Sequence, residues 1–328
     1  MRVPYQDIYF IDTSTDITAA ADWSGTGLGA SVYNLLPTNK PDLLSGKVVN
    51  DVRKATGLSQ RRTGDGYEFT MLHEEPSISG LTVELNRQVL GLWMWLLLQS
   101  GVSQDADPYE KTGIPYTDSD CEIFCSIGRL LDAGAYSHRI DGAIIKSLTV
   151  SGSSGGVLTM SADFIGRDFS DTVDLSGVAT TAVAEVPVLF QELATTLDTN
   201  AIELDSFELT ITNNAERRYY DNPLCTKIVL GNLEVSGNFT MPWTQTNESK
   251  NTAMTDFLAG NDMLLVIATT PASTDDVSFS VNARYTGDPT LSPDAVEHML
   301  NIPFIGAYDG TNHAIQIYCE DGITRGIS

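Results

Sequence analysis

Gly152-Ser153-Ser154-Gly155-Gly156 matches G-x-S-x-G, the turn that can present a serine nucleophile. That chemistry needs a strand running into a helix, so that the hydroxyl stands exposed at the bend. Here both flanks alternate polar and apolar residues, and the glycines suit a hairpin between two strands. His73, His138, His298 and His313 are the only histidines, and none lies three or four residues from another ligand type in a frame that sets up a metal site or a general base. Glu74–Glu75, Asp105 with Asp107, Asp118 with Asp120 and Asp275–Asp276 are neighbours that 43 acidic residues produce by chance. The D-x-D pairs lack the full calcium loop, and a glycosidase would set its two carboxylates across a cleft. Cys121 and Cys125 have no second pair or nearby histidine, so they, Cys225 and Cys319 read as core thiols. Gly25-Thr26-Gly27-Leu28-Gly29 has the wrong spacing for a dinucleotide turn, and Asn238 and Asn247 begin sequons that would matter only in a secreted chain. Arg217-Arg218-Tyr219-Tyr220 could stack on a nucleic acid strand, but it leaves a turn and reads better as a subunit contact or solvated loop. No catalytic constellation, cofactor site or metal site is expected, and the chain reads as a non-enzyme.

What must position these residues is mostly strand. Tyr67–His73, Ile78–Leu85, Ile144–Val150, Val157–Ile165, Phe207–Thr212, Leu233–Met241, Val277–Ala283 and Ala314–Tyr318 alternate or carry β-branched and aromatic residues between turn-type residues. Helices are predicted at Asn86–Gln99 and Asn247–Leu258, each opening on a capping residue type and closing near a glycine, with a weaker third at Pro187–Leu197. The expected class is mainly β, an antiparallel sandwich or barrel with flanking α-helices. The longest apolar run, Val89 to Leu98, spans ten residues, whereas a bilayer crossing takes about 20. The first residues lack a basic-then-apolar leader, so a soluble, non-exported chain is expected.

Charge is uneven. Over 328 residues, 19 Lys and Arg face 43 Asp and Glu, a net charge of −24. Such a surface does not grip nucleic acid, which is bound by neutralising phosphates, nor anionic lipid. Yet residues 38–65 form a long, polar, Gly-containing connection that holds Lys40, Lys47, Arg53, Lys54, Arg61 and Arg62 against Asp42, Asp51 and Asp65. That stretch reads as a functional arm of net charge +3, leaving −27 on the rest.

A weak internal repeat runs through the chain. Ile78-Ser79-Gly80 matches Val235-Ser236-Gly237, Gln99–Gly101 matches Leu258–Gly260, the strand from Cys121 matches that from Met263, and Phe164–Gly166 matches Phe304–Gly306. The offset falls once, where residues 102–120 have almost no counterpart, as a single insertion would require. Tandem duplication and coincidence of short matches both remain open.

Three segments, GAIIKSLTVSGSSGGVLTMSADFIGRDFS (142–170), DSFELTITNNAERRYYDNP (205–223) leading into GNLEVSGNFTMPW (231–243), and NIPFIGAYDGTNHAIQIYCEDG (301–322), resemble the major tail tube proteins of long-tailed bacteriophages and tailed archaeal viruses. The resemblance implies a tail-tube-type β-sandwich flanked by helix, in two tandem tube-like domains, 1–180 (with the 38–65 arm) and 181–328. It implies a structural virion protein that polymerises into stacked rings around a channel for ejected DNA. Rings would hold six copies, or three if the chain is duplicated, assembled in the host cytoplasm into the virion tail. Tape measure, tail terminator and baseplate proteins are the implied partners, DNA passes without specific binding, and no membrane is involved. Lys40, Lys47, Arg53, Lys54, Arg61 and Arg62 are expected to reach the acidic rim of the next ring. The alternative is another β-rich virion module, a capsid decoration or carbohydrate-binding fibre domain. Against it, Trp93 and Trp95 lie in the most apolar run, while Trp23 and Trp243 stand apart. A hydrolase using an acid pair is the weakest reading.

Overall fold

Alternation sets the architecture. From Ser77 to Glu84, Ile78, Leu81 and Val83 are buried while Ser79 and Glu84 are exposed. From Ser206 to Thr212, Phe207, Leu209 and Ile211 are buried and the residues between them are not. Each such strand has one face for a core and one for solvent. The computed structural model describes residues 8–14, 18, 33–35, 37–39, 41–51, 69–104, 110–132, 136–171, 181–182, 187–198, 200–243, 250–269, 277–293 and 298–320. Up to residue 182 these form β1 (Ile8–Ser14), β2 (Tyr33–Leu35), β3 (Val48–Asp51), β4 (Phe69–His73), β5 (Ser77–Glu84), α1 (Arg87–Leu98), β6 (Val102–Gln104), β7 (Glu110–Gly113), β8 (Phe124–Asp132), β9 (Tyr136–Ser153), β10 (Thr159–Ile165), β11 (Asp168–Ser170) and β12 (Thr181–Ala182). Beyond it come β13 (Leu193–Leu197), β14 (Asn200–Ile202), β15 (Ser206–Thr212), β16 (Glu216–Arg218), β17 (Lys227–Val229), β18 (Glu234–Pro242), α2 (Lys250–Ala259), β19 (Asp262–Thr269), β20 (Val277–Tyr285), β21 (Thr290–Pro293), β22 (His298–Gly306) and β23 (Gln316–Glu320).

The expected mainly-β, antiparallel class holds, with β2–β12 the one parallel pair among the described strands. Pairing runs β2–β1–β8–β9–β10–β5 before residue 182. After it, pairing runs β14–β13–β19–β20–β22–β18, in the same antiparallel sense throughout. β11 lies on the free edge of β9 as β23 lies on that of β20. A helix follows β5 in the first series and β18 in the second. β9 is 18 residues long, whereas its counterpart is broken into β20 and β21 by a stretch containing Gly287 and Pro289. Pro289 has no N–H to give a ladder. One sheet joins the series: β15 lies between β18 and the second half of β9, with Ser206 to Thr212 opposite Ser153 to Ser147.

α1 begins where Asn86 Oδ1 accepts the Val89 N–H at 2.9 Å, as an N-cap should. Val89 through Leu98 are all buried, so the helix is enclosed by the core, which explains a sequence apolar all round. Trp93 meets the ring of Phe164 edge-on at 5.9 Å between centroids. The helix ends at Gln99, whose φ of 51° breaks the helical path. This fully buried amide is satisfied four ways: Nε2 donates to Leu96 O and Ile123 O, and Oε1 accepts from Glu122 N and Ile123 N. α2 lies at the surface, with Ala253 buried and Leu258 exposed.

One expectation needs correction. The helix expected at Pro187–Leu197 is a single 3₁₀ turn, Phe190–Glu192, followed by β13. Glu192 Oε2 accepts the Leu189 N–H, but Thr195 and Thr196 are β-branched and the edge of β19 offers them a five-residue ladder. Residues 102–120, which have almost no counterpart in the second half, contain β6 and β7, a hairpin whose outer strand pairs with β23. This hairpin ties the first series to β23.

Candidate channel-facing sheet

Strands β5, β10, β9, β15, β18 and β22 stand side by side in that order. Their apolar faces pack against the core around α1, with Leu148, Val150, Met160, Leu209, Phe239 and Ile302 all buried. The opposite face carries the alternate residues. Short hydroxyls dominate and bridge neighbouring strands: Thr149 Oγ1 lies 3.0 Å from Thr210 Oγ1, Ser151 Oγ lies 3.0 Å from Thr159 Oγ1, and Thr82 Oγ1 donates to Ser161 Oγ at 3.1 Å. Glu84, Asp163, Glu208 and Glu234 place four carboxylates on this face, while Lys146 is the one Lys or Arg in the part of β9 (residues 144–153) that lies in it. The face is mostly polar and net negative, with Ile305 of β22 exposed at its edge.

Asp163 organises the middle of it. Its neighbours each slip register beside it: Ala162 faces Leu81 but Phe164 faces Ile78, and Asp163 faces Ser147 but Phe164 faces Ile145. Each neighbour therefore carries an extra residue, Ser79–Gly80 on one side and Lys146 on the other. Asp163 Oδ1 accepts from Ser79 Oγ and from Gly80 N, both at 2.7 Å, and Oδ2 accepts from Ser147 Oγ at 2.9 Å. Burial works to raise the pKa of this carboxyl, but the three hydrogen bonds and the nearby Lys146 charge outweigh it and hold the group below its ordinary value. Gly80 sits at φ +66°, a conformation the bulge requires and glycine adopts freely. Gly237, its match in the repeat, is needed for a different reason: a Cβ there would lie 2.6 Å from the Phe304 ring and clash with the Glu208 carbonyl.

The residues first considered for chemistry serve structure. Ser153 and Ser154 lie in the β9–β10 hairpin, with Gly155 at φ +75° and the Gly156 N–H donating to Ser153 O. No helix follows, so there is no nucleophile elbow. His73 meets Glu75 at 3.0 Å, and His138, His298 and His313 lie against Phe169, Trp243 and Tyr308. Burial first, then the Asp120 charge, pushes the Cys121 thiol up to about 12, far from a reactive thiolate. Burial likewise raises the Cys225 thiol. Among the described residues no His, Cys, Asp and Glu cluster could hold a metal ion, and no helix is long and apolar enough to cross a membrane.

The Arg217–Tyr220 motif was read as a subunit contact or solvated loop, and half of it is neither. Arg217 Nε donates to Gly166 O at 2.8 Å and its Nη2 donates to Pro76 O, while Tyr219 Oη donates to Glu74 O at 2.6 Å. Burial pulls the Arg217 pKa down, the expected result for a guanidinium used as an internal fastener. Arg218 and Tyr220 are exposed. Of the arm residues, Lys40, Arg53, Lys54, Arg61 and Arg62 lie outside the described residues. Lys47 is described, with Nζ 3.5 Å from Glu74 Oε1. The arm is anchored where it starts: the Thr38 N–H donates to Thr82 O, Leu43 is buried, the Leu44 and Ser77 backbones pair, and β3 pairs with β4. Sequence reasoning missed Asp163, since its role depends on Ser79, 84 residues earlier in the chain.

A sequence model described as phage tail tube protein matches residues 15–306. No curated protein matches the chain.

Proposed function

The chain belongs to the phage tail tube protein family, and from that premise we propose that it polymerises into stacked rings whose bore conducts the genome during ejection. The observation that carries this reading is the hydroxyl-rich face of β5, β10, β9, β15, β18 and β22, with four carboxylates against one ammonium. Turned toward the bore, such a face repels phosphates and leaves DNA free to slide, whereas a basic lining would hold it. Ring closure also covers sheet edges that would otherwise invite uncontrolled pairing.

The repeated pairing order supports a duplicated chain with tube-like domains at 1–180 and 181–328, so that a ring would hold three copies, or six if each copy fills one position. Lys40, Lys47, Arg53, Lys54, Arg61 and Arg62 would then form the stacking arm, meeting the acidic rim of the adjacent ring by charge complementarity. A virion tail assembled in the host cytoplasm, with tape measure, tail terminator and baseplate proteins at its core and ends, completes the reading. It assigns no catalytic step to any residue.

Negative-stain microscopy of the purified chain tests the reading. Hollow tubes or rings are expected, and a chain that stays monomeric at every concentration and salt would sink it. The lining is tested by Glu84→Lys with Glu208→Lys and Glu234→Lys: tubes of this variant should retain added duplex DNA at low salt and release it as salt rises. Equal retention by wild-type tubes would refute the assignment of this face to the bore.

A further inference from the structure

Two matched isoleucines differ in what covers them. Ile165 of β10 stands opposite Ile144 of β9, and Ile305 of β22 stands opposite Arg284 of β20, each residue 140 places after its match. Phe164 and Phe304 just before them lie in the main core, so both isoleucines point away from it, at the end of the polar face. Yet Ile165 is 8% exposed and Ile305 is 43% exposed.

The cover over Ile165 comes from the second half of the chain. The β16–β17 hairpin and its flanks bring Ala215, Cys225, Ile228 and Leu230 into a small core with Ile165 and Ile144. Arg217 holds the hairpin down, donating from Nε to Gly166 O and from Nη2 to Pro76 O. β16–β17 is the connection between β15 and β18. The like connection in the first half runs from Leu44, which bridges to Ser77, into β5, and it contains β3–β4. Each hairpin forms a two-stranded sheet apart from the main one. Met71, opposite Val49, holds the place in β4 that Ile228, opposite Arg217, holds in β17, and Ile228 lies 157 residues after Met71 as Val235 lies after Ile78. So β3–β4 is to the first half what β16–β17 is to the second.

Resting on the tube reading, we propose that the β3–β4 hairpin of a second copy docks over Ile305 and Tyr308, as β16–β17 docks over Ile165 within the chain. Tyr308, three residues beyond Ile305, is 65% exposed and stacked on His313 with 6.0 Å between ring centroids. Its loop is held in shape by Asp309, whose Oδ1 accepts the Thr311 and Asn312 N–H groups at 2.7 and 2.6 Å. A loop already ordered loses little freedom when it is covered. Leu44, 55% exposed at the foot of β3–β4, offers an apolar side chain to match. Charge fits too: residues 38–65 carry +3, while the exposed Glu234 lies two residues along β18 from Ser236, the partner of Ile305. The contact joins unlike surfaces of two copies and is head-to-tail. It divides the arm into a root that grips a copy alongside and a tip, Arg53, Lys54, Arg61 and Arg62, left for the adjacent ring.

Hydroxyl-radical footprinting of wild-type protein tests the cover. Oxidation of Ile305 should fall about fivefold from unassembled chain to rings, the ratio of its 43% exposure to the 8% of its match. Rings in which Ile305 reacts at an unchanged rate overturn the proposal and leave the tube reading standing. The occupant is identified by a photoreactive benzophenone residue at position 305, in chains co-assembled as a minor component with isotope-labelled wild type. Crosslinks should join position 305 to labelled peptides from residues 44–51 or 69–73. Crosslinks that reach only other segments, or only the same chain, overturn it. Ile305→Asp, at an exposed position, should raise the concentration needed for tube growth by about tenfold and leave the urea midpoint of the unassembled chain unchanged. Tube growth of this variant at the wild-type concentration also overturns the contact. Wild-type protein that forms no rings at all overturns the tube reading and the contact together.

Discussion

Asp163→Ala should destabilise the unassembled chain by about 2–4 kcal/mol at neutral pH. The side chain accepts three hydrogen bonds, two from hydroxyls and one from the Gly80 backbone N–H. A hydrogen bond to a charged group contributes about 1.5–3 kcal/mol when enclosed. Ser79 and Ser147 lie near solvent and can turn to water, so each hydroxyl loses less than that, and most of the damage falls on the half-buried Gly80 N–H and the bulge it stabilises. Urea unfolding followed by tryptophan fluorescence suits the measurement, because Trp93 lies against Phe164, the next residue in β10. The sign of the pH dependence follows from the direction of the shift. The folded carboxyl has its pKa lowered from 3.8, so the unfolded chain binds its proton first as pH falls. The stabilisation is fully present above about pH 4–5 and fades as pH drops through the folded value. Asp163→Asn keeps the shape without the charge, and the gap between it and wild type should close on acidification. A variant Asp163→Ala within 0.5 kcal/mol of wild type at neutral pH, or a wild-type-to-Asn gap that widens on acidification, would refute the reasoning.

Further outcomes follow from other contacts. Gly237→Ala should cost about 3 kcal/mol or more, since its Cβ meets the Glu208 backbone and the Phe304 ring, and it should reach the insoluble fraction or unfold at markedly lower urea. Gly155→Ala, at an open hairpin tip with φ +75°, should cost only about 1 kcal/mol. Cys121, raised to about 12, should react slowly with a thiolate-specific disulfide reagent at pH 8, and urea should speed the reaction at least tenfold. Rapid labelling of the folded chain would contradict it. Arg61→Glu with Arg62→Glu should hinder tube growth with the far-ultraviolet dichroism unchanged, and normal tubes would rule out the stacking arm.

Much of the local structure was readable because its causes are local. Alternation marked β5, β10, β15, β18 and β20, and Asn86 marked the start of α1. The hairpin at Ser151–Gly156 was also legible, since two alternating runs flanking glycines admit little else. β13 was misread because a short Leu-Ala-Thr-Thr-Leu run carries both signals, and only the waiting edge of β19 makes it a strand. The Arg217 motif was misread because its meaning lies in the carbonyls of Pro76 and Gly166, far away in sequence. In the sequence a repeat rests only on scattered short matches. The like pairing order of the two series is consistent with it, since strands of different sequence can share an order.

By itself, then, the sequence determined that eight alternating runs are strands, that two segments near 86–99 and 247–258 are helices, and that the chain is acidic with one basic stretch. Period, caps and charge act over a few residues and need no partner. Only the tertiary structure decided which acidic residues share a face. A one-residue slip in any ladder would turn Glu84, Glu208 or Glu234 from that face into the core. The bulges beside Asp163 are such slips, held in place by side chains that meet only when β5, β9 and β10 are already side by side.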